Sequence, residues 1–187
     1  MPNADLFKRG IFIRIRNRQT VDIKFNPEDI AQETTAYVEH THCDEVSSPL
    51  PLREASMTAI NAVLSALGLR RMSSPSLEAF MQNNNLGESL TIDKQRTTYQ
   101  DGRIHLDLDK VKDLGTYLEI EQMTDESGNR DLILQEMHRH LKGLSLRHVN
   151  VGYNELYWRK HDFNIYLQGK YLLAEDYEQY RAPRLAA

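Results

Sequence analysis

Cysteine is almost missing from this sequence. Cys43 stands alone among 187 residues, so the chain can form neither an internal disulfide nor an all-cysteine metal site. No apolar run approaches the length of a membrane span. The opening MPNADLFKRGIF also lacks the basic start, apolar block and small-residue cleavage pattern of a secretory signal. These absences predict a cytoplasmic protein without a membrane partner. Nor is there a surplus of positive charge: 23 lysines and arginines against 27 aspartates and glutamates leave a formal charge of -4. General nucleic-acid binding is therefore not expected, and any basic site must be local. No internal repeat or low-complexity linker interrupts the chain. Its length, with 40% hydrophobic and 27% charged residues, predicts one soluble domain over residues 1–187.

What the sequence does contain is alternation. In the stretch 103–121, Ile104, Leu106 and Leu108 alternate with His105, Asp107 and Asp109, as in a half-buried strand. The run 110–115 then turns the chain, after which Tyr117, Glu119 and Glu121 share one face and Leu118 and Ile120 the other. The Asp101–Gly102 dipeptide predicts a hairpin to a preceding strand within 88–99, which sets Lys94 and Arg96 on one side. Nearer the start, Ile11, Ile13 and Ile15 alternate with Phe12, Arg14 and Arg16. A short turn at 17–19 leads into Val21, Ile23 and Phe25, alternating with Asp22 and Lys24. A weaker polar strand is expected at 35–45. Helical spacing predicts helices over 53–67, stopped by Gly68, around 77–81, over 130–144, and in pieces through the aromatic tail from Tyr153. The fold class is α+β, with antiparallel hairpins that carry charge on one face.

That charge comes in like-signed doublets at i and i+2: Arg14 with Arg16, Lys94 with Arg96, and Glu119 with Glu121, joined by Lys24. Like charges held side by side repel, so opposite charges must face them or water must screen them. In one reading the faces are solvated and carry cross-strand ion pairs. In the other the sheet curls until they converge on a cavity with about five cations and a carboxylate patch. Arginine forks and lysine ammonium groups hold phosphate oxygens, while Mg²⁺ or Mn²⁺ prefers carboxylate and water oxygens. Phosphoryl transfer is mostly positioning and charge neutralisation, so such a site needs no covalent nucleophile.

IleArgIleArg at 13–16, Lys24 in the next strand, LysGlnArgThrThrTyr at 94–99 and the run 108–121, ending GluIleGlu, resemble the ordered motifs of the CYTH superfamily. These are the triphosphate tunnel metalloenzymes, including class IV adenylyl cyclases, thiamine triphosphatases and inorganic tripolyphosphatases. The resemblance implies an antiparallel β-barrel or tunnel of roughly eight strands with flanking helices. It implies a triphosphate-containing small molecule gripped by Arg14, Arg16, Lys24, Lys94 and Arg96, and Mg²⁺ or Mn²⁺ served by Glu119 and Glu121. Glu45 is the further metal-side carboxylate, with Glu39 as its competitor. Lys94 and Glu121 would be catalytic. In hydrolysis water attacks the terminal phosphorus, with Lys94 or Tyr99 assisting; in cyclisation of ATP to cyclic AMP the ribose hydroxyl attacks the innermost one.

One family motif has no counterpart. The opening strand, GluXaaGluXaaLys, is not found before Arg14, and ThrValAspIleLys at 20–24 follows the arginine strand instead of preceding it. The expectation is a fold incomplete at its N-terminus, through truncation or through divergence to a member that binds without turnover or borrows a strand. An unpaired sheet edge would favour a homodimer. The alternative function is a catalytically impaired polyphosphate- or nucleotide-binding module. His40 and His42, like His138 and His140, lack the four-ligand spacing of a zinc site and read as surface residues. The aromatics Tyr153, Tyr157, Trp158, Phe163 and Tyr166 read as packing, with a nucleotide-stacking platform as the alternative.

Overall fold

The computed structural model describes residues 4–27, 30, 43–122 and 129–180. In chain order its elements are α1 (Ala4–Lys8), β1 (Phe12–Arg16), β2 (Thr20–Phe25), β3 (Asp44–Pro49), α2 (Glu54–Ala66), α3 (Leu77–Asn83), β4 (Lys94–Asp101), β5 (Ile104–Val111), β6 (Gly115–Gln122), α4 (Arg130–His140), α5 (Tyr153–His161), α6 (Phe163–Tyr166) and α7 (Ala174–Tyr180). They fall into two compact units, residues 1–90 with 149–187, and residues 91–148. The architecture is α+β with antiparallel sheets, as the alternation predicts. Six strands are described, in two three-stranded sheets, where the expected tunnel has roughly eight. Of the polar strand expected at 35–45, Asp44 and Glu45 open β3. Glu39, His40 and His42 lie outside the described residues.

In the first unit the turn at Asn17 and Arg18, both at positive φ, closes the β1–β2 hairpin so that Arg14 faces Asp22 and Phe12 faces Lys24. Strand β3 pairs on the other side of β2, setting Ser47 beside Asp22 and Glu45 beside Lys24. Directly opposed residues share a face, so the charged side chains collect on one side of the sheet. The apolar side delivers Val21 and Ile23 to a core completed by Ile11, Leu52, Ile60, Leu64, Leu67, Met72 and Phe80. Helix α2 ends where its sequence says it should. Gly68 sits at φ +67, and the amides of Gly68 and Leu69 return to the carbonyls of Ser65 and Leu64 at 3.1 and 2.7 Å, closing the last turn.

The tail beyond residue 149 belongs to this same unit. Val151, Tyr171 and Leu173 form a second apolar cluster with Phe12, Val149 and Leu156, and the Lys170 amide donates to the Phe7 carbonyl at 3.1 Å. Gly10, at φ +69, lies so close to Tyr171 that a Cβ there would stand 2.8 Å from the phenolic oxygen and 2.9 Å from the ring. Gly10→Ala combines a left-handed backbone with a clash and is expected to cost about 1–3 kcal/mol. Urea denaturation of parent and variant measures this; equal midpoints would contradict the contact.

In the second unit Asp101 pairs Ile104 across a two-residue loop, and Val111 pairs Gly115. Helix α4 packs along β6. Strand β4 starts at Lys94, later than the stretch 88–99 suggests, because Lys94 faces Val111, the last residue of β5, where the chain turns; the Lys112 amide donates to the Asp93 carbonyl at 2.9 Å just beyond the ladder. Helix α4 stops at His140, short of residue 144, ahead of Gly143, a poor helix former. Among the described residues no helix is long and apolar enough to cross a membrane.

Candidate functional site

On the charged face of the first sheet the central group is Asp22, fully buried in the middle strand. Its Oδ2 accepts from Arg14 Nε at 3.0 Å and Arg16 Nε at 3.1 Å, with the Nη2 atoms of both at 2.9 and 3.0 Å. Its Oδ1 accepts the Ser47 hydroxyl at 2.6 Å. Burial pushes the Asp22 carboxyl upward, but the Ser47 bond and the two arginines outweigh it and hold the group below the usual carboxylate range. Glu45, one strand further, lies 2.7 Å from Lys24 Nζ and 3.3 and 3.6 Å from Nη2 of Arg16 and Arg14. Four residues singled out in the sequence, Arg14, Arg16, Lys24 and Glu45, thus meet on one face. Both arginines stay about half exposed at their tips.

The second sheet repeats the arrangement. Asp109, fully buried on β5, accepts from Lys94 Nζ at 2.5 Å and from the Nε and Nη2 of Arg96 at 2.7 and 2.6 Å, a two-pronged pair. Arg96 also reaches Asp107 through Nη1 and Glu119 through Nη2, and the Thr98 hydroxyl donates to Asp107 at 2.5 Å. The bond to Asp109, against an opposing effect of burial, and the charges of Glu119, Asp109 and Asp107 raise the Arg96 guanidinium well above its ordinary value, so it is a permanent cation. Glu121 is exposed, directly across from His105, and makes no ion pair among the described residues.

Lys94, Arg96, Glu119 and Glu121 are therefore brought to one face, as expected. Tyr99 is not: it alternates with the cations along β4, falls on the opposite face, and is 57% exposed, so it cannot assist chemistry beside Lys94. The residues that sequence reasoning passed over are the acids and hydroxyls beneath the cations: Asp22, Ser47, Thr98, Asp107 and Asp109. His138 and His140 lie in the last turn of α4, and no group of three or more His, Cys, Asp or Glu side chains among the described residues is arranged as a metal cluster.

These features define an α+β protein whose antiparallel sheets hold cation doublets over buried acids. The family model for the CYTH domain matches residues 1–153, and the chain belongs to that family. Members bind triphosphate substrates and generally use divalent metals. Among solved structures, the PH1819 protein from Pyrococcus horikoshii OT3 is similar in fold, with a TM-score of 0.52 and 19% identity over 85% of this chain and 79% of that one. No curated protein matches the chain.

Proposed function

We propose that this chain is a metal-dependent, cytoplasmic, triphosphate-processing protein of the CYTH type. It hydrolyses inorganic tripolyphosphate, thiamine triphosphate or a nucleoside triphosphate, or cyclises ATP to cyclic AMP. The supporting observation is that Arg14, Arg16, Lys24, Lys94 and Arg96 all stand on the charged faces of their sheets, ordered by acids, with the tips of Arg14 and Arg16 reaching solvent. The arginines supply flat forks that match phosphate oxygens, and the lysines supply point charges.

The donor set also suits the metal. Glu119 and Glu121 are neighbouring same-face carboxylates, hard oxygen donors of the kind Mg²⁺ or Mn²⁺ takes while keeping several waters. Both would hold the ion; Glu45 is the corresponding candidate carboxylate of the first unit. When bound, the metal offsets the charge of the phosphate chain. Lys94 and Glu121 flank the reacting phosphoryl group, and the orientation of the substrate decides between attack by water and attack by the ribose hydroxyl.

The test is incubation with tripolyphosphate, thiamine triphosphate and ATP in turn, with Mg²⁺ or Mn²⁺, measuring phosphate, pyrophosphate and cyclic AMP. Arg14→Ala and Lys94→Ala are each expected to lose about a hundredfold in turnover, as for removal of a charge-stabilising donor. If both match the parent, the faces are simply solvated and the proposal falls. A second reading is a binding module impaired in catalysis. It predicts saturable, salt-sensitive tripolyphosphate binding without phosphate release. Self-association into a homodimer is tested by sedimentation.

A further inference from the structure

We infer that Asp22 is a positioning residue for the phosphate grip of β1, holding the Arg14 and Arg16 guanidinium groups in fixed orientation before any ligand arrives. The inference rests on the triphosphate reading and assigns a role to a residue outside its motifs. Two arginines at i and i+2 on one strand repel, and each free side chain samples many rotamers, so an undirected pair would splay apart. Here a single buried oxygen, Asp22 Oδ2, takes Nε and Nη2 from both, at 2.9 to 3.1 Å. The acceptor cannot wander: the Ser47 hydroxyl holds the other carboxylate oxygen at 2.6 Å, and Asp22 lies at the centre of the middle strand, hydrogen-bonded on both sides. Each guanidinium thus turns one edge down to the aspartate. Glu45 lies beside both Nη2 atoms at 3.3 and 3.6 Å, the Nη1 groups are left to take an anion, and the rotamer entropy has already been spent in folding.

The second sheet is built the same way from an unrelated stretch of chain. Buried Asp109 orders Lys94 and Arg96, and a strand hydroxyl, from Thr98, supports the neighbouring Asp107. A device that occurs under both cation doublets goes with the doublets, not with one local sequence.

Three roles for Asp22 predict different outcomes. As a mere counter-charge it competes with the ligand, and Asp22→Asn would bind polyanions more tightly. As a purely structural group, its loss would lower stability and leave the affinity of the folded fraction unchanged. As a positioning residue, its loss weakens binding despite the gain in net positive charge.

The experiment is calorimetric titration of tripolyphosphate into the full-length parent, Asp22→Asn and Ser47→Ala, with the Arg14 and Arg16 Nε–H resonances followed in the ligand-free proteins. Asp22→Asn is expected to bind about tenfold more weakly and Ser47→Ala about threefold, both with faster exchange at the two Nε–H groups. A folded Asp22→Asn that binds as tightly as the parent, or more tightly, overturns the inference. Should that variant not fold, Ser47→Ala decides, and unchanged affinity there overturns it equally. A parent that binds no tripolyphosphate removes the triphosphate reading and this inference together, whereas a binding parent with unaffected variants removes this inference alone.

Discussion

Arg96→Ala is expected to destabilise the protein by about 3 kcal/mol, the low end of the range for stripping one partner from a buried ion pair, and to abolish tripolyphosphate binding. The guanidinium is the only cation paired with Asp107 among the described residues and joins Lys94 on Asp109. Without it, Asp107 keeps the Thr98 hydroxyl and Asp109 keeps Lys94. Two buried carboxylates two residues apart would then face each other through little water, and one must take up a proton or pull the sheet open. The residual Lys94 contact is why the low end is expected. Arg96→Lys can satisfy one carboxylate but not three, so it should fall between alanine and parent. Urea denaturation followed by circular dichroism measures the difference; a loss under about 1 kcal/mol would show that Asp107 and Asp109 do not need this partner.

Glu155 produces the other large effect, and its sign depends on pH. It lies in the first turn of α5, almost wholly buried, and its Oε1 has no hydrogen-bond partner among the described residues. Burial pushes its carboxyl up from 4.5 to about 7, with backbone bonds at Glu155 and Gly152 pulling the other way. Because the folded value is the higher one, the native state holds its proton more tightly than the unfolded chain. Stability is complete below 4.5, falls as pH rises through the interval up to about 7, and stays reduced above it. The difference corresponds to about 3 kcal/mol. Glu155→Gln cannot ionise, so its stability should be level across that interval and exceed the parent's in mildly alkaline buffer. Urea midpoints at acidic and alkaline pH provide the measurement, and a parent whose midpoint does not change would refute it.

Much of this was readable from residue order. The Asp101–Gly102 turn fixes a count: stepping back along β4 and forward along β5 puts Arg96 opposite Asp109 and Thr98 opposite Asp107. Arg96 faces Asp109 across the hairpin, and the basic and acidic doublets share that face one pair out of step, a match the register alone supplies. It was obscured by the usual equation of charge with water. On β5 the charged side is the drier: Asp107 and Asp109 are buried while Leu108 is 41% exposed, because Lys94 and Arg96 roof over the carboxylates. Asp22 is hidden for the same reason: in the sequence it stands beside Lys24 on the polar side of its strand. Glu155 gave no local sign at all. In TyrAsnGluLeuTyrTrpArgLys it looks like any glutamate of a solvated helix, yet it is 1% exposed. The segment 88–93 has branched residues suited to a strand, but propensity does not reveal that β5 ends at Val111, opposite Lys94.

The first unit is stitched from both ends of the chain, with Lys170 on Phe7 and Tyr171 against Gly10 and Phe12. A ribosome must therefore extrude the whole of 91–148 before Phe12 meets its last neighbours, while the β4–β5–β6 meander, made of short-range contacts, can shut as soon as it emerges. Nascent chains halted before Val149 would carry a closed meander and an unsheathed Phe12, a window in which the early strand is open to chaperones.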